Sequence, residues 1–167
     1  MIQPPRTDLR KAVTSKPCNT DGTMTMEQLF SICSSFAVVG WLLLLVLPRW
    51  RWTERLVLSG AWSLALSAVY LVAIVLYMPG AAGGFGSLAE VRTLFGHDGM
   101  LLAGWVHYLA FDLLVGAFEV RQAKAADIPH LLLIPVLILT FLLGPIGLLL
   151  FFIVKAVRQR KVSTVLP

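Results

Sequence analysis

The stretch Phe95–Glu119, FGHDGMLLAGWVHYLAFDLLVGAFE, constrains the whole chain. It is long and apolar enough to cross a bilayer, for which about 20 residues suffice. Yet it carries His107 and Asp112 near its middle. An acidic side chain at the bilayer centre costs about 2.5–3.5 kcal/mol on insertion scales, and such groups face protein or a water-filled site. The other apolar segments must therefore shelter them, and both His107 and Asp112 are expected to face protein.

Charged residues make up 14% of the chain, against about a quarter in a soluble domain, and here they fall between apolar runs. Four runs have the length of a span: about 28–47, 56–78, 99–118 and 128–154. The expected fold is an all-α membrane protein, a four-transmembrane-helix bundle forming one membrane domain over 26–157. Residues 1–25 read as a disordered polar tail, and 158–167 as a basic C-terminal tail. Arg6, Arg10, Lys11 and Lys16 with nearby Ser and Thr faintly suggest a transit peptide, but Asp8 and Asp21 argue against one. The net charge of +5 is dispersed around the spans, which suits lipid headgroups and excludes a nucleic-acid-binding surface. Cys18 in the tail and Cys33 in the first span make neither a disulfide framework nor a metal site.

Pro48 closes the first span, and the connector Arg49-Trp50-Arg51-Trp52 has the usual interfacial anchors. The second span carries Ser59, Gly60, Ser63, Ser67 and Ala68 on one side, a stripe of small residues suited to close helix packing. The Gly-rich connector from Pro79 to Gly99 contains Ser87-x-x-Glu90, the spacing of a capping box. It predicts a short interfacial helix between spans 2 and 3, with Leu88, Val91 and Phe95 on one face. Pro129 suits the first turn of the fourth span, while Pro135 and Pro145 interrupt it. Gly144-Pro145-Ile146-Gly147 is the sharper break, and the carbonyl freed near Phe141 must find a donor in lipid. Four crossings place both termini on one side, and the Lys/Arg distribution then puts them in the cytoplasm of a multi-pass inner-membrane protein.

On the third span Tyr108 and Asp112 are one turn apart, with Glu119 two turns further on the same face. His107 lies about 140° around from Asp112, so the two share a cavity only if this helix is central to the bundle. Three roles fit these residues. Asp112 and His107 can act as interhelical hydrogen-bonding groups. They can form an acid–base pair. A proton relay is the third, though no inverted repeat supports transport. A metal site is not expected, because His107 has no further ligand at i+3 or i+4.

Trp105-x-His107 followed by Asp112-Leu113, with Gly144-Pro145-x-Gly147 in the next apolar run, resembles the membrane family of plant neoxanthin synthase, the abscisic-acid-deficient-four-like family. The similarity covers about residues 26–157, and the tail's poor match to a plastid transit peptide suggests a bacterial-type member. The positions that match are Trp105, His107, Asp112, Pro145 and Gly147. The plant member is implicated in converting violaxanthin to neoxanthin, which opens a 5,6-epoxide and creates an allene. The resemblance thus implies a redox-neutral isomerase acting on a carotenoid or related isoprenoid and needing no cofactor. In that reading Asp112 and His107 are the catalytic pair. Trp105, Tyr108, Phe111, Trp62 and Glu119 bind substrate, and Pro145 and Gly147 shape a kink. The alternative is a non-catalytic membrane protein that binds a pigment, a lipid, a second copy of itself or a partner enzyme.

Overall fold

A computed structural model describes residues 24–165, all of whose regular structure is helical. The tail reading for residues 1–23 lies outside the described residues. Three helices among those described are long and apolar enough to cross a membrane.

The first helix, α1, runs Met26–Val46. Thr25 starts it: its Oγ1 accepts from the Gln28 N–H at 3.1 Å, and Gln28 Oε1 accepts from the Thr25 N–H at 2.8 Å. This reciprocal box satisfies two backbone donors that the first turn otherwise leaves free. Pro48 ends the apolar run, and a π-helical turn at Thr53–Leu58 leads to Gly60, whose φ of 87° lets the chain reverse. Helix α2 then returns over Ala61–Tyr77. Its exposed Leu64, Leu71, Val72, Val75 and Leu76 form a continuous apolar flank, which suits lipid better than water.

Helix α3 spans Leu88–Phe95. Ser87 Oγ accepts from the Glu90 N–H as its spacing predicts, but the Glu90 carboxylate accepts from Gly86 N–H, one residue earlier than a capping box requires. Its inner face also differs from the expected one. Leu94 is the buried residue, and Leu88 points outward at 78% exposure.

Helix α4, Asp98–Ala125, has 28 residues, about 42 Å at 1.5 Å per residue. It is central: α1, α2, α3 and the C-terminal helices all pack on it. Small residues permit the close approaches. A Cβ on Gly116 would lie 2.7 Å from the Trp41 ring, and one on Gly40 would lie 2.9 Å from Leu113. Of the small stripe expected on the second span, Gly60 and Ser63 are buried, whereas Ser59 and Ala68 are exposed.

The run expected as one bent fourth span is divided into α5, His130–Leu143, and α6, Pro145–Val165. The helix continues through Pro135 but breaks at Gly144 (φ 43°). There the chain doubles back rather than bending. His130 Nε2 donates to the Leu45 carbonyl at 2.9 Å, so α5 starts beside the end of α1. Gly144 lies against Asp112, halfway along α4. Phe151 then packs beside Phe118 at 6.3 Å between ring centroids, and Lys155 Nζ donates to Gln122 Oε1 at 2.7 Å. Helix α6 therefore runs parallel to α4 and returns to the end from which α5 set out. The two make a helical hairpin with its tip at mid-depth.

The bundle thus has two unlike ends. At one, Met26 and Glu27 lie near Phe95 and Asp98. At the other, Arg121 donates to the Leu58 carbonyl, and Lys124 donates to Pro48 O at 2.9 Å and to Glu54 at 2.8 Å. The Lys124 ammonium holds the exposed Glu54 carboxyl below its usual range, first through the hydrogen bond and then through charge. Whatever stability that link adds is present above the ordinary Glu pKa and is lost as pH falls through the lowered value.

Close packing at Gly116 gives a direct test. Gly116→Val should destabilise the purified protein by about 1–3 kcal/mol, because it overpacks Trp41. Gly80→Ala, with nothing within 4 Å, should be close to neutral. Denaturation in mixed micelles measures both.

Candidate functional site

The crevice between α1 and α4 is largely closed in one half and open in the other. In the half next to residues 47–60, α5 packs against both α1 and α4 with Leu133 and Leu137 fully buried, and a smaller pocket of about 260 Å³ remains, rimmed by Arg49, Lys124, Asp127 and His130. In the other half a groove of about 710 Å³ remains, lined chiefly by Met26, Phe30, Phe95, Leu101, Trp105 and Tyr108. Trp105 is held in place from α1: its indole N–H donates to Ser34 Oγ at 3.0 Å, and its ring lies 5.4 Å from Phe30 and 5.6 Å from Tyr108. Gly104 lets the Phe95 ring lie directly on α4.

Tyr108 forms the floor. Its hydroxyl donates to the Phe141 carbonyl at 3.2 Å. Phe141 is four residues before Pro145, so this is the carbonyl whose helical donor the proline removes. The partner that the sequence requires is thus supplied by α4.

Asp112 lies one turn beyond Tyr108 and is nine-tenths buried, with the Tyr108 hydroxyl close enough to interact with its carboxyl. Its Oδ2 has no hydrogen-bond partner. Gly144 wraps round it, and a Cβ there would stand 2.8 Å from Oδ1. Such a group, desolvated and unsatisfied, costs about 1–3 kcal/mol or more unless something else completes it. Glu119, two turns further along the same face, is completely buried. The Thr140 hydroxyl lies 3.0 Å from both of its carboxylate oxygens and also 3.0 Å from Val136 O. Gly147 packs directly on Thr140, which closes the hairpin just behind its tip.

The other expected site residues are not gathered here. His107 is exposed on a different face of α4, with its ring 4.7 Å from Phe111 and 5.2 Å from Tyr70 of α2. The expectation that it faces protein together with Asp112 is not met, and the two do not converge on one cavity. Phe111 is 55% exposed beside His107. Trp62 stacks on Phe36 at 4.3 Å and donates to the Phe36 carbonyl at 2.9 Å, fastening α2 to α1. Glu119 lies below the floor of the groove. Among the described residues, no three His, Cys, Asp or Glu side chains are placed to hold a metal ion.

Sequence reasoning missed the α1 wall. Phe30 and Ser34, at i and i+4, share a helix face, and Ser34 interrupts an apolar run. Ser31 and Ser35 interrupt the same run, so Ser34 does not stand out by itself, and nothing local indicates which helix the face meets.

The arrangement offers an apolar slot for a hydrophobic ring, a phenolic hydroxyl at its floor and an unsatisfied carboxyl immediately behind. The family model described as ABA DEFICIENT 4-like matches residues 28–151. No curated protein and no solved structure gives a significant match.

Tyr108→Phe leaves Phe141 O without its donor in a region where water cannot substitute. The expected cost is about 1–2 kcal/mol of stability, measured by denaturation in micelles alongside Tyr70→Phe, whose hydroxyl makes no such bond.

Proposed function

The chain belongs to the ABA DEFICIENT 4-like family, and on that footing we propose that it is a multi-pass inner-membrane protein that isomerises a carotenoid or related isoprenoid. The ring end of the substrate enters the groove between α1 and α4, against Trp105 and Phe30. Helix α3 lies in the membrane interface and carries Phe95 over the groove.

The observation that carries this reading is the pairing of Tyr108, at the groove floor, with the buried and unpartnered Asp112 behind it. Opening an epoxide to a neighbouring unsaturated product needs one proton delivered to oxygen as the C–O bond breaks and one removed from the adjacent carbon. The atoms balance with no oxidant or reductant. Asp112 takes the carbon-bound proton, and the Tyr108 hydroxyl donates to the oxygen. Tyr108 replaces His107 as the acid because His107 lies outside the groove. The low-dielectric surroundings strengthen any interaction between these groups and charge that develops on the substrate.

A second reading is favoured by one fact: no atom of Asp112 lines the groove wall. In that case the groove binds a pigment or lipid without chemistry, and Asp112 only cradles the hairpin tip.

Complementation of a deletion strain separates the two. If the isomerase reading holds, Asp112→Asn should accumulate normally yet lower isoprenoid conversion at least about 100-fold, within the usual range for an acid–base group. An unchanged isoprenoid profile at normal protein level removes Asp112 from catalysis. If polyene absorption bands then copurify with the variant, the binding reading stands.

A further inference from the structure

We infer that α5 and α6 form a re-entrant hairpin, entering and leaving the membrane at the cytoplasmic face, and that the groove is loaded from the opposite leaflet. The leaflet assignment deepens the isoprenoid reading and rests on it; the topology stands on geometry alone.

The first step is the path of the chain. Helices α1, α2 and α4 each run the full depth of the bundle, so Met26 and α3 lie at one end and residues 47–60 at the other. Helix α5 starts at that second end, where His130 meets Leu45. Its 14 residues rise about 21 Å, which reaches Asp112 but not the far interface. Lys155 against Gln122 brings α6 back to its starting level. A continuing fourth span would instead place Lys155 near Asp98. The described helices therefore make three crossings and one hairpin, and the C-terminal helix leaves at the end opposite to Met26.

The second step is charge. Of the chain's fourteen Lys and Arg, nine lie at the second end once α6 is placed there: three in 49–55, two at 121 and 124, and four from 155 to 161. Arg92 is the only one between α2 and α4. Residues 1–23 contribute four to the first end when they are counted with it. The ratio is nine to five with those residues and nine to one without them, so the bias no longer depends on where the tail begins. Positive-inside weighting assigns the second end to the cytoplasm. With both termini on one side, the same residues without the tail divide five and five.

The third step is access. In the cytoplasmic half α5 lies against both α1 and α4 with Leu133 and Leu137 buried, and the groove occupies the other half, above the hairpin's tip. The cavity at the cytoplasmic end is smaller, about 260 Å³, and its rim of Arg49, Lys124, Asp127 and His130 does not suit a lipid-soluble molecule. One in the extracytoplasmic leaflet lies level with Phe30, Leu101 and Trp105.

Single-cysteine labelling tests this directly. In a Cys18→Ser, Cys33→Ala background, Trp50→Cys, Leu88→Cys and Val157→Cys each introduce a thiol at an exposed position. A membrane-impermeant maleimide is applied to intact and to permeabilised cells, with protein level recorded. Trp50→Cys and Val157→Cys should label only after permeabilisation, and Leu88→Cys should label in intact cells. If Val157→Cys behaves like Leu88→Cys and opposite to Trp50→Cys, α5–α6 crosses the membrane and the hairpin is overturned. If Leu88→Cys labels only after permeabilisation, the leaflet assignment is overturned. Neither result depends on isoprenoid turnover, so catalysis can fail independently.

Discussion

A backbone carbonyl released inside a bilayer has no water to turn to, and the fold around the Gly144–Pro145 break can be read from that requirement. Pro145 takes the donor away from Phe141, and Tyr108 replaces it from the neighbouring helix. Gly144 adopts a φ of 43°, which a side chain would make costly and which would bring that side chain against Asp112. The break is thus built jointly by α4 and the hairpin. Tyr108 and Asp112 supply the surface on which the tip rests, and the tip's Phe141 carbonyl accepts from the Tyr108 hydroxyl.

The depth of that tip explains why a groove exists. Helices α1 and α4 form a crevice along their whole length, and a full fourth helix would occupy all of it. The hairpin stops at Asp112, so the crevice is packed below and open above. In the lower half Val136, Leu137 and Phe151 are excluded from solvent. The upper half carries Trp105 and Tyr108 on an apolar wall, with Ser34 holding the indole from across the gap. Stability and binding capacity are thereby divided along a single pair of helices.

Much of this was readable from the residues. The helical class, the first three of the four expected spans and the break at Gly144 follow from run lengths and from what proline and glycine do to a helix. The need for a donor near Phe141 also follows, as does Ser87 as a helix start. What could not be read is direction. A break announces a change of course, but whether α6 continues outward or returns depends on contacts such as Phe118 with Phe151 and Gln122 with Lys155, which lie more than thirty residues apart. The same limit applies to His107. Its 140° offset from Asp112 was plain, but only the position of α2 decides that this face meets Tyr70 and an exposed edge rather than a shared cavity.

Two buried acids lie on one face of α4, and their partners distinguish their roles. Glu119 is engaged through both oxygens by Thr140, at the level where Gly147 packs the hairpin against itself. Such a carboxyl is committed to joining α4 to α5, and a ligand reaching it would first have to open the best-packed part of the bundle. Asp112 sits where the packing ends. Its Oδ2 is unpartnered, Gly144 lies against it, and Tyr108, one turn before it on α4, lines the groove. Exposing Glu119 would require the hairpin to leave. For that reason the proposed chemistry is placed at Asp112, while Glu119 joins α4 to the hairpin through Thr140.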